Sequence, residues 1–554
     1  MFDPAEPKRI SPALLFALCA LAGMLCFVGI YSFRVLDFTN TGWLFNNDHD
    51  LRQHYLGWCA YRRDPWTFPI GLIGSLSYPE SMSVIYTDSI PLFAVFFKLF
   101  APYLPVQFQY FGLFGIICFM LMGGISGILL RRFIRDDIQC IIGSVFYVIS
   151  PSVIHRMYFH TALAAQWIVV LAITVWVYDD IIRSDVRKII YWGIIAFLCV
   201  GIHSYFLPMT GMILAALMIT QYFTGKKVFL PLAELASFCA VGLISLYMLG
   251  AFYGGTSPAG PGLGTFVSNL NTFINPWEIG RLLPRLPLLY DFQYEGMAYL
   301  GAGILLLYAV VAAGLVIRRL RRVPEEAFHS RRIYARVTAA LVLVSIAAAV
   351  LPTISYNDIR IRSIPYPYVV EKVLSVFRSN GRLIWPAMYI LITAAIAFTA
   401  YTFRHYRQIA VITLAAALVF QICDMSNAFA QRYELYTSDH IEETLWDLPD
   451  ASEFIDGKSE FIFLYTDNDI TMPSAYYGYL HGMRQNNFYF ARDIEDKVSR
   501  GIAHYYSELE GGNLRQSAVY VLKEEEYENN RQFYDGLPAD IMVFFDHVLI
   551  KAAD

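Results

Sequence analysis

Residues 108–130 read FQYFGLFGIICFMLMGGISGILL and carry no charged side chain before Arg131 and Arg132. A run of roughly 20 apolar residues crosses a bilayer as a helix, because only a helix satisfies its own backbone where water is absent. About eleven such runs occur, near 11–32, 108–130, 138–153, 162–178, 188–206, 208–224, 228–252, 297–317, 334–351, 383–402 and 408–424. The chain of 554 residues is 56% apolar, 16% aromatic and 16% charged, with a mean hydropathy of +0.45. A soluble domain carries about 25% charged residues, so an ordinary soluble enzyme, a disordered chain and a coiled coil are excluded. The sequence describes a polytopic α-helical membrane protein. Its net charge of -4 and the lack of a long basic run speak against a nucleic-acid partner. Most of the cysteines lie inside apolar stretches and Cys59 stands alone in a loop, which gives no disulfide or zinc framework.

Charge placement sets the topology. Lys and Arg collect on the cytoplasmic side of short loops. With eleven crossings, Lys8-Arg9, Arg131-Arg132-Arg135, Arg183-Arg187-Lys188, Lys226-Lys227, the run from Arg318 through Arg332, and Arg404-Arg407 all fall inside. The stretch from Ser89 to Ala101 is short and reads as a membrane-dipping helix; a twelfth crossing there would put all but the first cluster outside. The N-terminus is then cytoplasmic and the C-terminal region external. A signal peptide is the other reading of 11–32, opposed by the absence of a small-x-small cleavage site before Arg34. The expected division is a membrane domain over 1–424, with a first external loop at 33–107, and an external soluble α/β domain over 425–554. In that last region acidic residues outnumber basic ones, and the β-rich runs Phe461–Tyr465, Ala518–Leu522 and Val543–Ile550 predict strands. Asp467-Asn468-Asp469 follows one of them and reads as a turn before a metal site.

Polar residues gather at the outer ends of the apolar runs. In the first external loop, Asn46-Asn47-Asp48-His49-Asp50 leads into Leu51, Tyr55 and Trp58 at i, i+4 and i+7, which predicts an amphipathic helix on the membrane surface. One N-cap needs one carboxylate, so Asp48 is assigned mainly to capping and Asp50 to chemistry. Tyr86-Thr87-Asp88-Ser89-Ile90-Pro91 starts the dipping helix, with Asp88 or Ser89 as its expected cap. His155, Arg156 and His160 emerge at the outer end of one run, and His203, Ser204 and Tyr205 at that of another. Ionisable groups converging on one membrane face carry a functional hypothesis by default. A His-based zinc site competes with it, but the spacing does not match a local motif. The segment 253–296 is rich in Gly and Pro, holds Asn275-Pro276-Trp277, ends in Tyr294-Glu295-Gly296, and reads as a mobile loop or a lid. Arg360, Arg362, Arg378 and Arg382 lie outside against the positive-inside bias; binding a lipid-linked phosphate or anchoring to headgroups would each account for them.

This layout resembles the GT-C superfamily of polyprenyl-phosphate-sugar-dependent glycosyltransferases: a first helix, a long outer loop with an acidic residue on a membrane-parallel helix, many further crossings and an external domain. Asp50-x-x-Gln53-His54-x-x-Gly57-Trp58, Tyr86-Thr87-Asp88-Ser89-Ile90-Pro91-Leu92, Phe108-Gln109-Tyr110-Phe111-Gly112, Arg156-x-x-x-His160, His203-x-Tyr205-Phe206, Tyr294-Glu295-Gly296 and Phe377-Arg378-Ser379-x-Gly381-Arg382 are similar to a bacterial family of GT-C-like membrane proteins of unassigned substrate. The resemblance covers 35–425 and is specific as a set.

The resemblance implies an acidic residue of the first external loop as catalytic base. Asp50 is the matching position, and Asp48 stands beside it. It leaves a divalent metal, Mg2+ or Mn2+, open, since some GT-C enzymes use one and others none. The implied reaction is inverting transfer of a sugar from a polyprenyl-phosphate-linked donor to a cell-envelope glycan, glycolipid or protein acceptor, at the outer face of a bacterial cytoplasmic membrane. Asp88, His54, Arg156, His160, His203, Tyr205, Glu295, Arg378 and Arg382 are the expected substrate-binding residues, with the arginines on the departing phosphate. A flippase or carrier of lipid-linked saccharides is the competing class. It would place ionisable residues in mid-membrane and show internal repeats, neither of which the sequence displays. A non-catalytic membrane scaffold that binds a glycan is a third reading.

Overall fold

The computed structural model describes residues 9–46, 49–226, 228–253, 263–320, 332–374, 377–437, 444–491 and 495–553. Asp48, Lys8, Lys227, Gly260-Pro261-Gly262 and most of the basic run toward Arg332 lie outside the described residues. Each apolar run forms a helix: Pro12–Tyr31, Phe111–Arg131, Asp137–Val148, Trp167–Val177, Asp185–Ile202, Phe206–Phe223, Phe229–Met248, Ala302–Leu320, Arg332–Val350, Trp385–Thr402 and Arg407–Thr437. Among the described residues eight helices are long and apolar enough to cross a membrane, and 161–177 and 302–316 are apolar but shorter. Pro151 ends the helix begun at Asp137 and opens the short helix Pro151–Arg156, because a proline lacks the N–H that an unbroken ladder needs.

The chain packs as two compact units. The first comprises Met1–Asp37, Tyr110–Leu243 and Pro261–Ser438. Its helices approach backbone to backbone where the sequence supplies glycine: a Cβ on Gly23 would lie 2.2 Å from the Phe119 carbonyl oxygen, and one on Gly123 2.2 Å from that of Cys19. Small residues at helix contacts are the expected device where lipid removes the hydrophobic drive. In the segment read as a mobile loop or lid, residues 254–262 lie outside the described residues and the described part from 263 is hydrogen-bonded throughout its polar core. Asn269 donates to Gln293 Oε1 at 3.0 Å and to Ser355 Oγ at 3.1 Å, and Asn271 donates to Asn357 Oδ1 at 2.9 Å. Asp424 accepts from the Leu282 amide at 2.9 Å and the Tyr299 hydroxyl at 2.8 Å. Buried amides that would cost several kcal/mol unpaired are thereby satisfied. Arg360 and Arg362 lie on Ile359–Ser363, the exposed strand of an antiparallel hairpin with Thr353–Tyr356.

The second unit comprises Phe38–Gln109, Ile244–Gly260 and Asp439–Asp554, so most of the first long loop packs with C-terminal residues. Its five-stranded sheet runs Arg484–Gln485, Glu460–Phe463, Ala518–Lys523, His547–Ala552, Ala539–Phe544; the first three strands are parallel and the last two pair antiparallel. Side chains alternate across it: Phe461, Phe463, Val519 and Val521 pack on one face with Trp446 and Tyr477, while Ile462, Tyr520, Leu522 and Val548 pack on the other with Tyr505 and Leu509. The run Val543–Ile550 is two strands, since the chain turns at Phe545 with φ of 55°. Where the sequence reads as a turn, a helix begins instead: Asp467 caps Asn468–His481 by accepting from the Asp469 amide at 3.0 Å.

The first loop adds to this sheet's edge. The Gln485 amide donates to Ser75 O at 2.8 Å and the Tyr78 amide to Gln485 O at 2.9 Å. The helix His49–Arg63 does not spend its apolar face on lipid. Leu51, Tyr55 and Trp58 are fully buried in protein, and the Phe45 ring lies 5.6 Å from that of Tyr55 and 5.1 Å from that of Tyr476. The periodicity is the same for either partner, which is why sequence alone pointed to the membrane surface.

Candidate functional site

Within the first unit, three distant segments bring their charged residues together. Arg156 closes the short helix Pro151–Arg156, Glu295 lies in the turn Asp291–Gly296, and Arg382 in the 3-10 turn Asn380–Ile384. Arg382 grips the carboxylate as a fork, Nε on Oε2 and Nη2 on Oε1, both at 2.8 Å. Arg156 Nη2 donates to Oε2 at 2.6 Å and to the Glu295 carbonyl at 3.0 Å. His160 Nε2 lies 3.4 Å from Oε1. Arg156 is 0%, Glu295 3% and Arg382 7% exposed.

Glycines let the segments meet. A Cβ on Gly296 would fall 2.5 Å from Ser268 Cα, and one on Gly381 2.7 Å from the Phe266 carbonyl oxygen and 2.9 Å from Gly296 Cα. Asn380 donates to Ala348 O at 2.8 Å, satisfying a carbonyl in the last turn of the helix Arg332–Val350. Tyr205 ties in the remaining residues. Its hydroxyl accepts from the Ser379 amide at 3.0 Å, its ring lies 4.6 Å below the Arg382 guanidinium, and Phe377 meets it edge-on at 5.4 Å. His203 accepts from the Tyr205 amide through Nδ1 at 3.2 Å. Arg378 is half-buried, 5.5 Å from the centre of the Phe266 ring.

Two guanidiniums from separate segments share one buried carboxylate. Burial pushes the Glu295 carboxyl up, but Arg156 and Arg382 outweigh it and hold it well below the usual carboxylate range. Glu295 is thus a fixed anion that orients arginines, and it takes no proton near neutral pH. Arg156 has donors to spare: its Nε and Nη1 are buried and find no acceptor among the described residues. Guanidinium donors left over in a buried cluster fit an anion.

The acidic residues of the first loop belong to the second unit. Asp50 is half-buried in the first turn of the helix His49–Arg63. Neither Asp88 nor Ser89 occupies the N-cap position of Pro91–Lys98. The N-cap there is Ile90, with no side-chain cap bond, and both Asp88 and Ile90 are left-handed, with φ of 49° and 52°. Ser89 donates instead to the His54 carbonyl at 2.7 Å, and Gly57 lets Thr87 and Ser89 press on the helix, since its Cβ would lie 2.4 Å from Thr87 Oγ1. Such φ values in non-glycine residues persist only where the surroundings over-determine them. His54 itself is fully buried. Among the described residues no three His, Cys, Asp or Glu side chains group as metal ligands.

Sequence reading did not single out Trp385, whose indole donates to Met297 O at 3.1 Å and whose ring lies 5.9 Å from the Arg156 guanidinium. Its signal is spacing, one helical turn after Arg382. Nor did it single out the buried pair beneath, in which Tyr389 donates to Gln166 Oε1 at 2.7 Å and Gln166 to Ser152 Oγ at 3.0 Å.

A polytopic helical membrane unit with a buried cationic cluster, carried with a C-terminal α/β region, defines the class. The chain belongs to the DUF6311 family, a domain of unknown function, whose model matches residues 20–426, and the DUF6311 C-terminal domain matches 452–552. No curated relative matches the sequence. Among solved structures it is similar to the archaeal oligosaccharyltransferase AglB from Archaeoglobus fulgidus in complex with an inhibitory peptide and a dolichol-phosphate, at 9% identity and a TM-score of 0.48, over 94% of this chain and 70% of that one. The Archaeoglobus fulgidus oligosaccharyltransferase tethered to an acceptor peptide containing the NVT sequon matches at 11% identity and a TM-score of 0.46, over 94% and 70%.

Proposed function

We propose that this protein is an inverting glycosyltransferase that moves a sugar from a polyprenyl-phosphate-linked donor to a cell-envelope glycan, glycolipid or protein acceptor at the outer face of a bacterial cytoplasmic membrane. The observation that carries the reading is the surplus of the Arg156–Glu295–Arg382 cluster: buried guanidinium donors without acceptors, in an apolar helical unit. A lipid phosphate supplies the oxygen acceptors that the free Arg156 donors match.

The reaction needs little more than charge and a base. The acceptor oxygen attacks the anomeric carbon, its proton passes to a carboxylate, and the bond from that carbon to the phosphate oxygen breaks, so polyprenyl phosphate leaves with the electron pair. Phosphate is already a good leaving group, and Arg378, Arg382 and Arg156 stabilise the charge that builds on it. Tyr205, His203 and His160 line the donor headgroup's side of that cluster, and Glu295 positions the arginines. Asp50 is the base, with Asp48 as the alternative in the same loop, and Asp88 holds the acceptor or donor sugar. A base of this kind contributes about 10²–10⁴-fold. A divalent metal, where one binds, would add charge stabilisation.

The test is turnover of purified protein against a panel of polyprenyl-phosphate sugars, with Asp50→Asn and EDTA in parallel. Release of polyprenyl phosphate, lost in Asp50→Asn with the fold intact, is the expected result. Full release in that variant removes Asp50 as base, and no release from wild type across the panel overturns the transferase.

A further inference from the structure

The second unit contains a groove that plays no part in the chemistry above. It has a volume of about 550 Å³ and opens between the 63–81 segment of the first loop and the C-terminal sheet's edge at Ser459, Gly482 and Arg484. That size suits a small-molecule or oligomeric ligand. Its walls are built. Asp64 lies in the wall, with Oδ2 accepting from the Gly74 amide at 2.6 Å and from the Ser75 amide at 3.0 Å, which orients the carboxylate and leaves Oδ1 to accept from a ligand. Opposite in charge, Arg484 is anchored to Glu460 at 2.6 Å and lies 3.4 Å over the centre of the Tyr78 ring. Arg63 is anchored by the carbonyls of Gly478 and Met483. Hydroxyls of Thr67, Ser81 and Ser459 complete the lining.

We propose that this groove binds a saccharide chain. A sugar offers donors and acceptors on neighbouring carbons, and this lining offers both: a pre-oriented carboxylate for hydroxyl donors, guanidiniums for hydroxyl acceptors, and an Arg-on-Tyr stack and prolines for its C–H faces. Other ligands fit worse. A lipid tail would leave the charges of Asp64, Arg63 and Arg484 against hydrocarbon, and a phosphate or nucleic acid would meet the like charge of the Asp64 carboxylate. Read with the proposed transferase, on which only the role of the sugar rests, the bound chain is the acceptor glycan held on the external unit.

The experiment is binding of the purified full-length protein to an array of cell-envelope polysaccharides and oligosaccharides beside an array of tiled peptides, for wild type, Asp64→Asn and Ser459→Trp. Ser459 is exposed, so tryptophan there fills the groove from its rim without disturbing a core. The expected result is glycan binding that weakens about tenfold or more in Asp64→Asn, the size of a lost hydrogen bond to a charged group, and that Ser459→Trp also blocks, with both variants melting as wild type. Binding confined to peptides, binding unchanged in Ser459→Trp, or no binding on either array overturns the proposal. Glycan binding without release of polyprenyl phosphate would keep the groove and overturn the transferase, and release without glycan binding would do the reverse.

Discussion

Glu295 in the first unit and Asp467 in the second are both carboxylates engaged by hydrogen bonds, yet they are held by opposite means. Glu295 is buried and meets two guanidiniums from distant segments, whereas Asp467 is half-buried and meets the amide two residues along its own chain, with the half-exposed Lys523 Nζ 3.3 Å away. The difference follows from access to water. A charge buried in an apolar helical unit needs a counter-charge, because its desolvation costs several kcal/mol. A charge at a helix start beside solvent is held by a backbone N–H, and a water-exposed ion pair such as that with Lys523 adds at most about 1 kcal/mol. The first arrangement is a long-range product of the fold, and the second is written locally.

Substitutions break that contrast in order of size. Glu295→Ala leaves two buried guanidiniums facing each other and should cost about 3–5 kcal/mol, seen as a large fall in melting temperature in detergent; a loss under about 1 kcal/mol would mean the cluster behaves as a surface pair. The same carboxylate governs acid stability. Its folded pKa lies below that of the unfolded chain, so its stabilisation is whole above the ordinary glutamate value of about 4.3 and is lost as pH falls through the depressed value. Melting against pH should show an acid limb that Glu295→Gln flattens.

Arg378→Gln touches no buried pair, and should lower release of polyprenyl phosphate about 10²–10³-fold with the fold retained. A merely anchoring arginine would leave the rate unchanged. Gly381→Ala pushes a Cβ into Phe266 O and Gly296, and overpacking of that kind costs about 1–3 kcal/mol. Urea or thermal titration would read it, and a neutral result would mean that the Phe266–Ser268 segment yields. Asp467→Ala, the local counterpart, should cost about 1 kcal/mol and leave the cluster untouched.

Much of the site was legible because ionisable residues at the outer ends of apolar runs are costly and therefore conspicuous. Arg156, His160, His203, Tyr205, Glu295 and Arg382 each stood out that way, and all of them fall in one constellation of the first unit. What could not be read is who pairs with whom. Nothing local says that Glu295 accepts from Arg156 and Arg382, or that the Glu295 carboxylate is a fixed partner of arginines. The capping expected of Asp88 failed for a related reason: the backbone around it is bent left-handed by packing against the helix at Gly57, which sequence spacing does not encode.

The amino-acid sequence by itself determined the apolar helices, the polar residues at their ends and the abrupt change to an α/β region, because each depends on composition or on residues within a turn of one another. Tertiary structure alone decided that the apolar face of His49–Arg63 covers protein, that residues 75–78 extend the edge of the C-terminal sheet, and that three separate segments close an Arg–Glu–Arg cluster. Periodicity states that a face must be buried and burial states that a charge must be paired. Neither names the partner, which is chosen by contacts between residues hundreds of positions apart.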